Sequence, residues 1–433
     1  MNAYAAAERW LLSFSDPQRG VGWNPANKAG LDWNVRRTRI LLDLAGAPDR
    51  AMRCVLVAGT KGKGSTAAMI AALLASSGVR AGLATKPQLQ SYRERVRVEG
   101  VAIGDSEFAA AVERIHPLVE ALARHTWNAG RPTTFELTTV LAFSHFAATG
   151  CEAAVVEVGL GGRYDATNAC DPLVSIVTAI SHDHTRELGT SLVGIAREKA
   201  GVMRPGRVTV IAPQRSTVTR ALAAEGKRLG AQVRAVRPMT SLRAAELGLA
   251  LPGAHQRANA AAAVAAIGTL AEHGVGRGIA RSGALAGLRW PGRFEIVQGD
   301  PPFVLDVAHN DGSAEALAAT MRVAFPRRRI RFVIGLMADK DARAVLRPLL
   351  PLAASVEATR PPSPRGLDAR ALERLIRRVP VRTHDELASA LAAARSEAGP
   401  RDVVCVTGSV ALVGAARGAL GLPPPERLWP AIG

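Results

Sequence analysis

A stretch rich in glycine and lysine carries the strongest chemical signal in the sequence. Residues 59–65 read Gly-Thr-Lys-Gly-Lys-Gly-Ser and lie between a short apolar run and a run rich in Ala, Met and Leu. This order predicts a strand, a turn and a helix N-terminus, whose backbone N–H groups and dipole favour a phosphate. Lys63 could reach the β- and γ-phosphates of a nucleotide, and Ser65 could face Mg²⁺. A plain glycine turn would not explain the interleaved lysines, so we interpret residues 59–65 as a phosphate cradle.

Charged side chains follow other predicted strands. Glu157 and His184 end two strands, and Lys199 lies on the next helix. Open α/β sheets bind ligands at the carboxyl ends of their strands, so Glu157 and His184 are expected at the same edge as the cradle. Mg²⁺ prefers oxygen ligands and takes imidazole less often. Taken singly, each of these residues, and Asp306 after a later strand, could equally be an ordinary surface or helix-capping residue.

Alternating β-branched and Ala/Leu-rich runs predict an α/β protein. We expect a P-loop-type ATP-binding domain with a central, mostly parallel sheet at 1–289, and a smaller Rossmann-like α/β domain at 290–433. Predicted strands are 55–58, 80–85, 153–158, 174–180, 208–212, 303–307, 330–335, 354–359 and 403–407. Predicted helices are 33–44, 66–74, 107–123, 191–201 and 260–273, with a further start at Thr133.

Composition narrows the class of protein. The net charge is +18, but only 4% of residues are aromatic and the arginines are spread along the chain. We therefore favour solvated basic faces that attract polyanions such as ATP over a nucleic-acid surface. Four cysteines without ligand-like spacing indicate reduced thiols. No signal peptide and no apolar run of about 18 residues is visible. The expectation is a cytoplasmic protein with no membrane contact.

A series of motifs, in order along nearly the whole chain, resembles one family. It is similar to the folylpolyglutamate synthase/dihydrofolate synthase family of Mur-type amide ligases. The motifs are Gly59-Thr-Lys-Gly-Lys-Gly-Ser65, Ser91-Tyr-Arg-Glu-Arg95, Thr134-Phe-Glu136, Glu157-Val-Gly-Leu-Gly-Gly-Arg-Tyr-Asp-Ala-Thr-Asn168, Asp183-His-Thr185, Arg197-Glu-Lys-Ala-Gly201, His255-Gln256 with Asn259, Trp290-Pro-Gly-Arg293, Leu305-Asp-Val-Ala-His-Asn310 and Ala338-Asp-Lys-Asp341.

The resemblance implies an ATP-dependent ligase. In that family ATP phosphorylates a substrate carboxylate, and the amine of L-glutamate attacks the acyl phosphate to give an amide, ADP and phosphate. Electrostatic stabilisation must carry most of the catalysis, because charge builds on the transferred phosphoryl group. ATP, L-glutamate and a folate or pteroate are the implied small-molecule partners, and a monomer is the implied oligomeric state.

The resemblance also implies roles for individual residues. Lys63, Lys199 and His184 match catalytic positions, and Lys199 matches a lysine that is carbamylated in the family. Ser65 is expected to bind one Mg²⁺, and Glu157 with His184 a second. The implied ATP-binding residues are Gly59, Thr60, Lys61, Gly62, Lys63, Gly64, Ser65, Asn259, Arg293, Asp306 and His309. The implied substrate-binding residues are Leu31, Asp32, Thr133, Thr134, Phe135, Glu136, Tyr164, Asp165 and Ala166.

Two departures from the family pattern bear on the second metal and on the acceptor. Where the family has Ser-Pro-His, with the serine a Mg²⁺ ligand, this chain has Lys86-Pro87-Gln88, and His182 stands where the family tends to carry an apolar residue. Lys86 could turn away, replace part of the metal's charge or abolish the second metal site. Two alternatives to a folate ligase therefore stay open. One is a Mur-type ligase for a different acid and amine, and the other is a nucleotide-binding regulatory protein of low activity.

Overall fold

The computed structural model describes residues 2–16, 22, 30, 32–125, 130–278 and 280–431. In these residues two mostly parallel sheets, of eight and six strands, are covered by helices, which confirms the predicted α/β class. The helices are α1 Ala3–Leu12, α2 Asp32–Leu44, α3 Lys63–Ser76, α4 Asp105–His125, α5 Thr134–Ala148, α6 Thr185–Leu188, α7 Leu192–Lys199, α8 Ser216–Arg228, α9 Ser241–Glu246, α10 Ala254–Glu272, α11 Asp311–Ala324, α12 Ala342–Leu349, α13 Ala369–Glu373, α14 Leu387–Ser396 and α15 Val410–Ala419.

The eight-stranded sheet positions the cradle. Its strands are β1 Arg53–Ala58, β2 Ala81–Ala84, β3 Val96–Val98, β4 Val101–Ala102, β5 Ala153–Glu157, β6 Pro172–Val177, β7 Val208–Ile211 and β8 Gln232–Ala235. Their order is β4-β3-β2-β5-β1-β6-β7-β8, and only the β2–β3 and β3–β4 pairs are antiparallel. The cradle follows the central strand β1, and Glu157 ends its neighbour β5. The two polar segments therefore leave the sheet side by side.

The six-stranded sheet belongs to the second half of the chain. Its strands are β9 Glu295–Val297, β10 Phe303–Asp306, β11 Arg329–Ile334, β12 Ala353–Thr359, β13 Val381–His384 and β14 Asp402–Thr407. Their order is β13-β12-β11-β14-β10-β9, with only β9 antiparallel to its neighbour. Asp306 ends β10 and lies at the carboxyl edge of this sheet.

Several element bounds differ from the sequence prediction. Helix α3 begins at Lys63 rather than at 66, so the last residues of the cradle form the first helical turn. Helix α10 begins at Ala254, whereas the sequence prediction placed its start at 260. The prediction was late because the N-cap residue, Gly253, supplies no capping side chain. Strands β8 and β13 were not predicted, since their residues are mostly exposed or half-buried and lack an apolar run.

The helix after the cradle lies deep in the protein. Nearly every side chain of α3 from Ser65 onward is buried, and the helix packs between the first sheet and α10. A helix that is apolar on all faces is typical of the interior. Among the residues that the structure describes, no helix is both long and apolar enough to cross a membrane.

The last described residues return from the second sheet to the first. The backbone N–H of Leu428 donates to the carbonyl oxygen of Gly100 at 3.0 Å, and the N–H of Arg289 donates to that of Leu428 at 2.7 Å. Trp429 is buried in the core around α3. The chain therefore connects the two sheets twice, through the segment around Arg289 and through this C-terminal segment.

Candidate nucleotide-binding and ligation site

The cradle is a loop held against β6 and opening into α3. The backbone N–H groups of Thr60 and Lys61 donate to the carbonyl oxygen of Ala179, at 3.0 and 3.1 Å. The N–H groups of the first helical turn have no partner within the helix, so those after Gly62 are available to an anion. The Ser65 hydroxyl lies in that turn and makes no hydrogen bond to another described residue. The loop therefore has the donors of a phosphate site.

Gly62 is required by both its backbone and its surroundings. Its φ is +84°, and a Cβ there would lie 2.2 Å from Oδ1 of Asn259. Asn259 is buried on α10, and its Nδ2 donates to Oε1 of Gln256 at 2.9 Å. The predicted nucleotide residue Asn259 thus touches the cradle, and Gln256, which the sequence prediction did not assign a role, orients its amide.

Glu157 is the carboxylate that faces the cradle. Its Oε2 accepts the backbone N–H of Lys86 at 3.1 Å, and its Oε1 lies 3.9 Å from Nζ of Lys63. A Cβ on Gly64 would come within 3.2 Å of Oε2, so the loop packs directly on the carboxylate. Burial, together with the nearby ammonium of Lys63, lowers the pKa of Lys86 to about 8. Lys63, Lys86 and Glu157 therefore form one cluster with more positive than negative groups.

Lys199 approaches the cradle from α7. Its Nζ donates to the carbonyl oxygen of Gly59 at 2.8 Å, and the residue is 4% exposed. Burial, and then the positive charge of Lys63, lowers its pKa to about 7. A large fraction of this amine is therefore neutral and nucleophilic near neutral pH. The amine suits the carbamylation that the family resemblance implies.

His184 is the N-cap residue of α6 and directly follows Asp183, which contacts the second half of the chain. Its backbone is in the left-handed region, with φ +50°, and 47% of its side chain is exposed. Partial removal from water, with the charges of Lys340, Lys86 and Lys63, lowers its pKa to about 4 against the effect of Asp183. The imidazole is therefore neutral at neutral pH.

Asp183, next to His184, contacts residues of the second half of the chain. Its Oδ1 accepts Nζ of Lys340 at 3.2 Å, and its Oδ2 accepts Nδ2 of Asn310 at 3.1 Å. Lys61 of the cradle lies 3.6 Å from Asp311 in the same region. The sequence prediction contained Asp183 and Lys340 within motifs but gave them no role, because only the folded chain brings them together.

Arg293 in the linker lines a cleft beside Gly64 and Lys86, and Asp306 and His309 lie near it at the carboxyl edge of the second sheet. The carboxylate of Asp306 accepts the backbone N–H groups of Phe294 and Ala308, at 2.8 and 2.9 Å. Asn310, not Asp306, caps α11. Burial lowers the pKa of Arg293, and the carboxylates of Asp306 and Glu157 act against that shift. The predicted nucleotide residues of the two halves therefore converge on one cleft.

A pocket with about 330 Å³ of empty space, part of it open to solvent, adjoins Glu157. It is lined by Arg95, Phe135, Thr138, Thr139, Phe143 and Glu157, among others. Nη1 of Arg95 is buried without a hydrogen-bond partner among the described residues, whereas its Nε donates to Oε1 of Gln88 at 2.7 Å. The sequence predicted Phe135 for this pocket and missed Arg95, Thr138 and Thr139. The two threonines, one turn after Phe135 in an apolar helix, are the signal that could have found them.

The other residues predicted to bind the acceptor make internal contacts. Glu136 and Arg37 form a buried ion pair with two N–O distances of 2.8 Å, and Thr133 and Glu136 form the capping box of α5. Thr134 donates to the carbonyl oxygen of Leu11. Of the remaining predicted positions, Asp32 is half-buried and Tyr164 is exposed. Asp165 and Ala166 are buried. Leu31 lies outside the described residues.

The sequence predicts one Mg²⁺ at Ser65 and a second at Glu157 and His184, and the surroundings of the two positions differ. Ser65 offers a hydroxyl beside the phosphate-binding N–H groups, which fits a Mg²⁺ shared with the nucleotide. For the second position, Glu157, His184 and Lys199 bring one carboxylate, one imidazole and one amine, with the ammonium of Lys86 among them. Within the described ranges, no cluster of three or more His, Cys, Asp or Glu side chains could hold a metal. With Lys199 as a free amine, one carboxylate and one imidazole beside the ammonium of Lys86 are an unfavourable set of ligands for a second divalent cation.

This fold and site define a two-sheet nucleotide-dependent ligase. Residues 57–236 match the Mur ligase middle domain, and residues 292–410 match the Mur ligase glutamate ligase domain. The dihydrofolate synthase/folylpolyglutamate synthase of Mycobacterium tuberculosis is 35% identical over 91% of this chain and 91% of its own length. The chain belongs to the folylpolyglutamate synthase/dihydrofolate synthase family.

Two solved structures support the same assignment. The M. tuberculosis folylpolyglutamate synthase complexed with ADP and AMPPCP is 35% identical, with a TM-score of 0.81 over 90% of this chain and 96% of its own. A bifunctional folylpolyglutamate synthase/dihydrofolate synthase with Mn, AMPPNP and L-glutamate bound is 27% identical, with a TM-score of 0.80 over 98% and 99%. These comparisons confirm the expected family, fold and class of reaction, the ATP-dependent ligation of an amino acid to an acid, here of glutamate to a folate.

Proposed function

We propose that this chain binds Mg-ATP in the cleft between the cradle and the second sheet, and a folate or pteroate acceptor in the cavity of Phe135. The observation that carries the proposal is the position of Glu157, which lines the acceptor cavity and also contacts the cradle lysine Lys63. An acceptor bound in this pocket with its carboxylate end toward Glu157 would have that carboxylate near the γ-phosphate. Phosphoryl transfer depends on such alignment of the attacking and leaving oxygens.

The acceptor cavity suits a flat heteroaromatic ring. Phe135 and Phe143 supply apolar surface, and the unpaired Nη1 of Arg95 supplies a hydrogen-bond donor. A ligand without an acceptor atom at that point would leave the guanidinium nitrogen unsatisfied, which costs free energy. This donor favours a polar aromatic acceptor over a purely apolar acid.

The reaction proceeds in two balanced steps. A carboxylate oxygen of the acceptor attacks the γ-phosphorus, the bond to the β-phosphate oxygen breaks, and ADP leaves. The glutamate amine, after losing a proton, then attacks the carbonyl carbon of the acyl phosphate, and the bond to the phosphate oxygen breaks. The products are an amide, hydrogen phosphate and one proton released to solvent.

The chain's own residues bind and orient the reactants in both steps. The N–H groups after Gly62 and the ammonium of Lys63 hold the phosphates, and Asn259, Arg293 and Asp306 contact the rest of the nucleotide. A divalent ion held by Ser65 and the phosphates would neutralise charge on the β- and γ-oxygens. The ion pair of Asp183 with Lys340 holds the second sheet over the cleft, so that water is excluded during transfer.

The test is phosphate release from Mg-ATP and L-glutamate with dihydropteroate, with tetrahydrofolate and with no acceptor. We expect release that requires an acceptor, and a raised acceptor KM in Phe135→Ala because the ring surface is lost. Val323→Ala, at a side chain that is 83% exposed on α11, is the matched control. Absence of acceptor-dependent release from a folded, AMPPNP-binding protein would refute the proposal.

A further inference from the structure

Lys86 carries a positive charge that no carboxylate of the described chain neutralises by contact. Its Nζ makes neither a hydrogen bond nor an ion pair there, and it lies 5.8 Å from the ring centroid of Phe135. Lys86 lines a cleft, open to solvent, that Gly64, Trp290 and Arg293 also line. A cation largely enclosed by protein is costly unless an anion accompanies it. The anion that completes this environment must therefore come from a ligand in the cleft.

The backbone of Lys86 fixes the residue against Glu157. The Lys86 N–H donates to Oε2 of Glu157 at 3.1 Å, and the Lys63 ammonium lies 3.9 Å from Oε1. One carboxylate oxygen thus accepts a backbone N–H, and the other lies near an ammonium group. A divalent cation at Glu157 would be repelled by the ammonium groups of Lys63 and Lys86.

The position of Lys86 also places it between the cradle and the acceptor cavity. Thr85, the preceding residue, lines both the acceptor cavity and the cleft, and Phe135, over which the ammonium lies, lines the acceptor cavity. The positive charge of Lys86 acts on His184 and on Lys199. The ammonium is therefore within electrostatic range of the cradle lysine Lys63, of His184 and of Lys199.

We propose that Lys86 is a further catalytic residue, whose ammonium contacts the transferred phosphoryl group and takes the place of a second divalent cation. The proposal rests on the proposed function, since it concerns the same transfer. Lys86 stays protonated and forms no bond; it stabilises the negative charge on the phosphoryl oxygens in the first step and on the leaving phosphate in the second. The enzyme would then need one divalent ion for each bound nucleotide.

The first test counts bound metal without any acceptor or glutamate. Mn²⁺ is titrated into protein saturated with AMPPNP at pH 7 in buffer without added bicarbonate, and free Mn²⁺ is followed by electron paramagnetic resonance. We expect one Mn²⁺ per chain in the wild type and in Lys86→Arg, which keeps the charge. Lys86→Ser removes the charge and adds a hydroxyl ligand, so it should bind a second Mn²⁺ whose signal shows coupling to the first. Lys227→Ser, on the exposed end of α8, is the matched control and should bind one.

Two results would overturn the proposal. The first is a wild type that binds two coupled Mn²⁺ ions, because Lys86 would then coexist with a second metal. The second is a Lys86→Ser variant that still binds only one, because Lys86 would then not be what excludes it. AMPPNP affinity measured in each variant shows that the cradle is folded.

The second test measures turnover. Lys86→Met should lower kcat at saturating ATP by about 100- to 1000-fold, the usual cost of removing one group that stabilises developing negative charge, and Lys86→Arg should recover part of the loss. A Lys86→Met enzyme with wild-type kcat would refute the catalytic role. Failure of the proposed function would appear instead as missing acceptor-dependent turnover in the wild type, and the metal count does not depend on that turnover.

Discussion

The buried amine of Lys199 leads to a prediction with a defined pH profile. Its environment lowers its pKa to about 7, and the charged groups that act on it are Lys63, Asp183, Lys86 and Asp165. Only the neutral amine attacks CO₂, and the carbamate formed releases one proton to solvent. At constant dissolved CO₂ the neutral fraction therefore sets the rate of carbamate formation. The Nζ donates to the Gly59 carbonyl at 2.8 Å, and a carbamate nitrogen keeps one hydrogen with which that contact can continue.

The magnitude follows from the shifted pKa. At pH 7 about half of Lys199 is neutral, against roughly 0.04% of an ordinary lysine with a pKa near 10.4. Between pH 6 and pH 8 the neutral fraction of Lys199 rises about 10-fold and then levels off, whereas that of an ordinary lysine rises about 100-fold without a plateau. At constant dissolved CO₂, the initial rate of carbamate labelling on Lys199 should therefore reach half of its maximum near pH 7.

The assay is ¹³CO₂ labelling at constant dissolved CO₂, with the carbamate trapped by O-alkylation and located by peptide mapping. The exposed Lys227 serves as the ordinary lysine within the same molecule. We expect a plateau for Lys199 above pH 8 and no label at this position in Lys199→Met. No label on Lys199 at pH 8, or a rise of about 100-fold like that of Lys227, would show that its pKa is not lowered as argued.

Two further predictions concern stability and nucleotide affinity. Glu136→Gln should destabilise the fold by about 3–5 kcal/mol, because it removes the carboxylate that pairs with the buried charge of Arg37; an unchanged urea midpoint would show that the pair is not needed. Gly62→Ala should weaken AMPPNP binding by more than 10-fold, since its Cβ would combine the strain of a left-handed backbone with a clash against Asn259. Gly206→Ala, at φ +70° with nothing within 4 Å, carries the strain without the clash, so equal binding losses in both variants would contradict this explanation.

Much of the site could be predicted from the sequence because its signals are local. The cradle glycines and lysines are contiguous, and the capping box at Thr133 marks the start of α5 within four residues. Helix α10 was placed too late because Gly253 gives no side-chain signal at its cap. Local patterns therefore predicted the elements that carry the cradle, with errors at their ends.

The remaining features depend on contacts between distant parts of the chain. The ion pair between Asp183 and Lys340 joins residues 157 positions apart. The return of Trp429 to the core around α3 depends on the space beside Gly100, where a Cβ would come within 2.8 Å of the indole. Nothing in the residues around Trp429 predicts this contact, since the complementary surface is formed by segments far away in the sequence.

The electrostatics of the cradle link the two lysines that distinguish this site. With Lys63, Lys86 and Lys199 as ammonium groups and Glu157 as a carboxylate, the formal charge of the cluster is +2, the sum of three positive charges and one negative. Carbamylation of Lys199 replaces one positive charge by a negative one and brings the sum to zero. The carbamate would then meet the ammonium groups of Lys63 and Lys86, which stabilise it without a metal. An ammonium at position 86 therefore both disfavours a second divalent cation and supplies the positive charge that an anionic Lys199 requires.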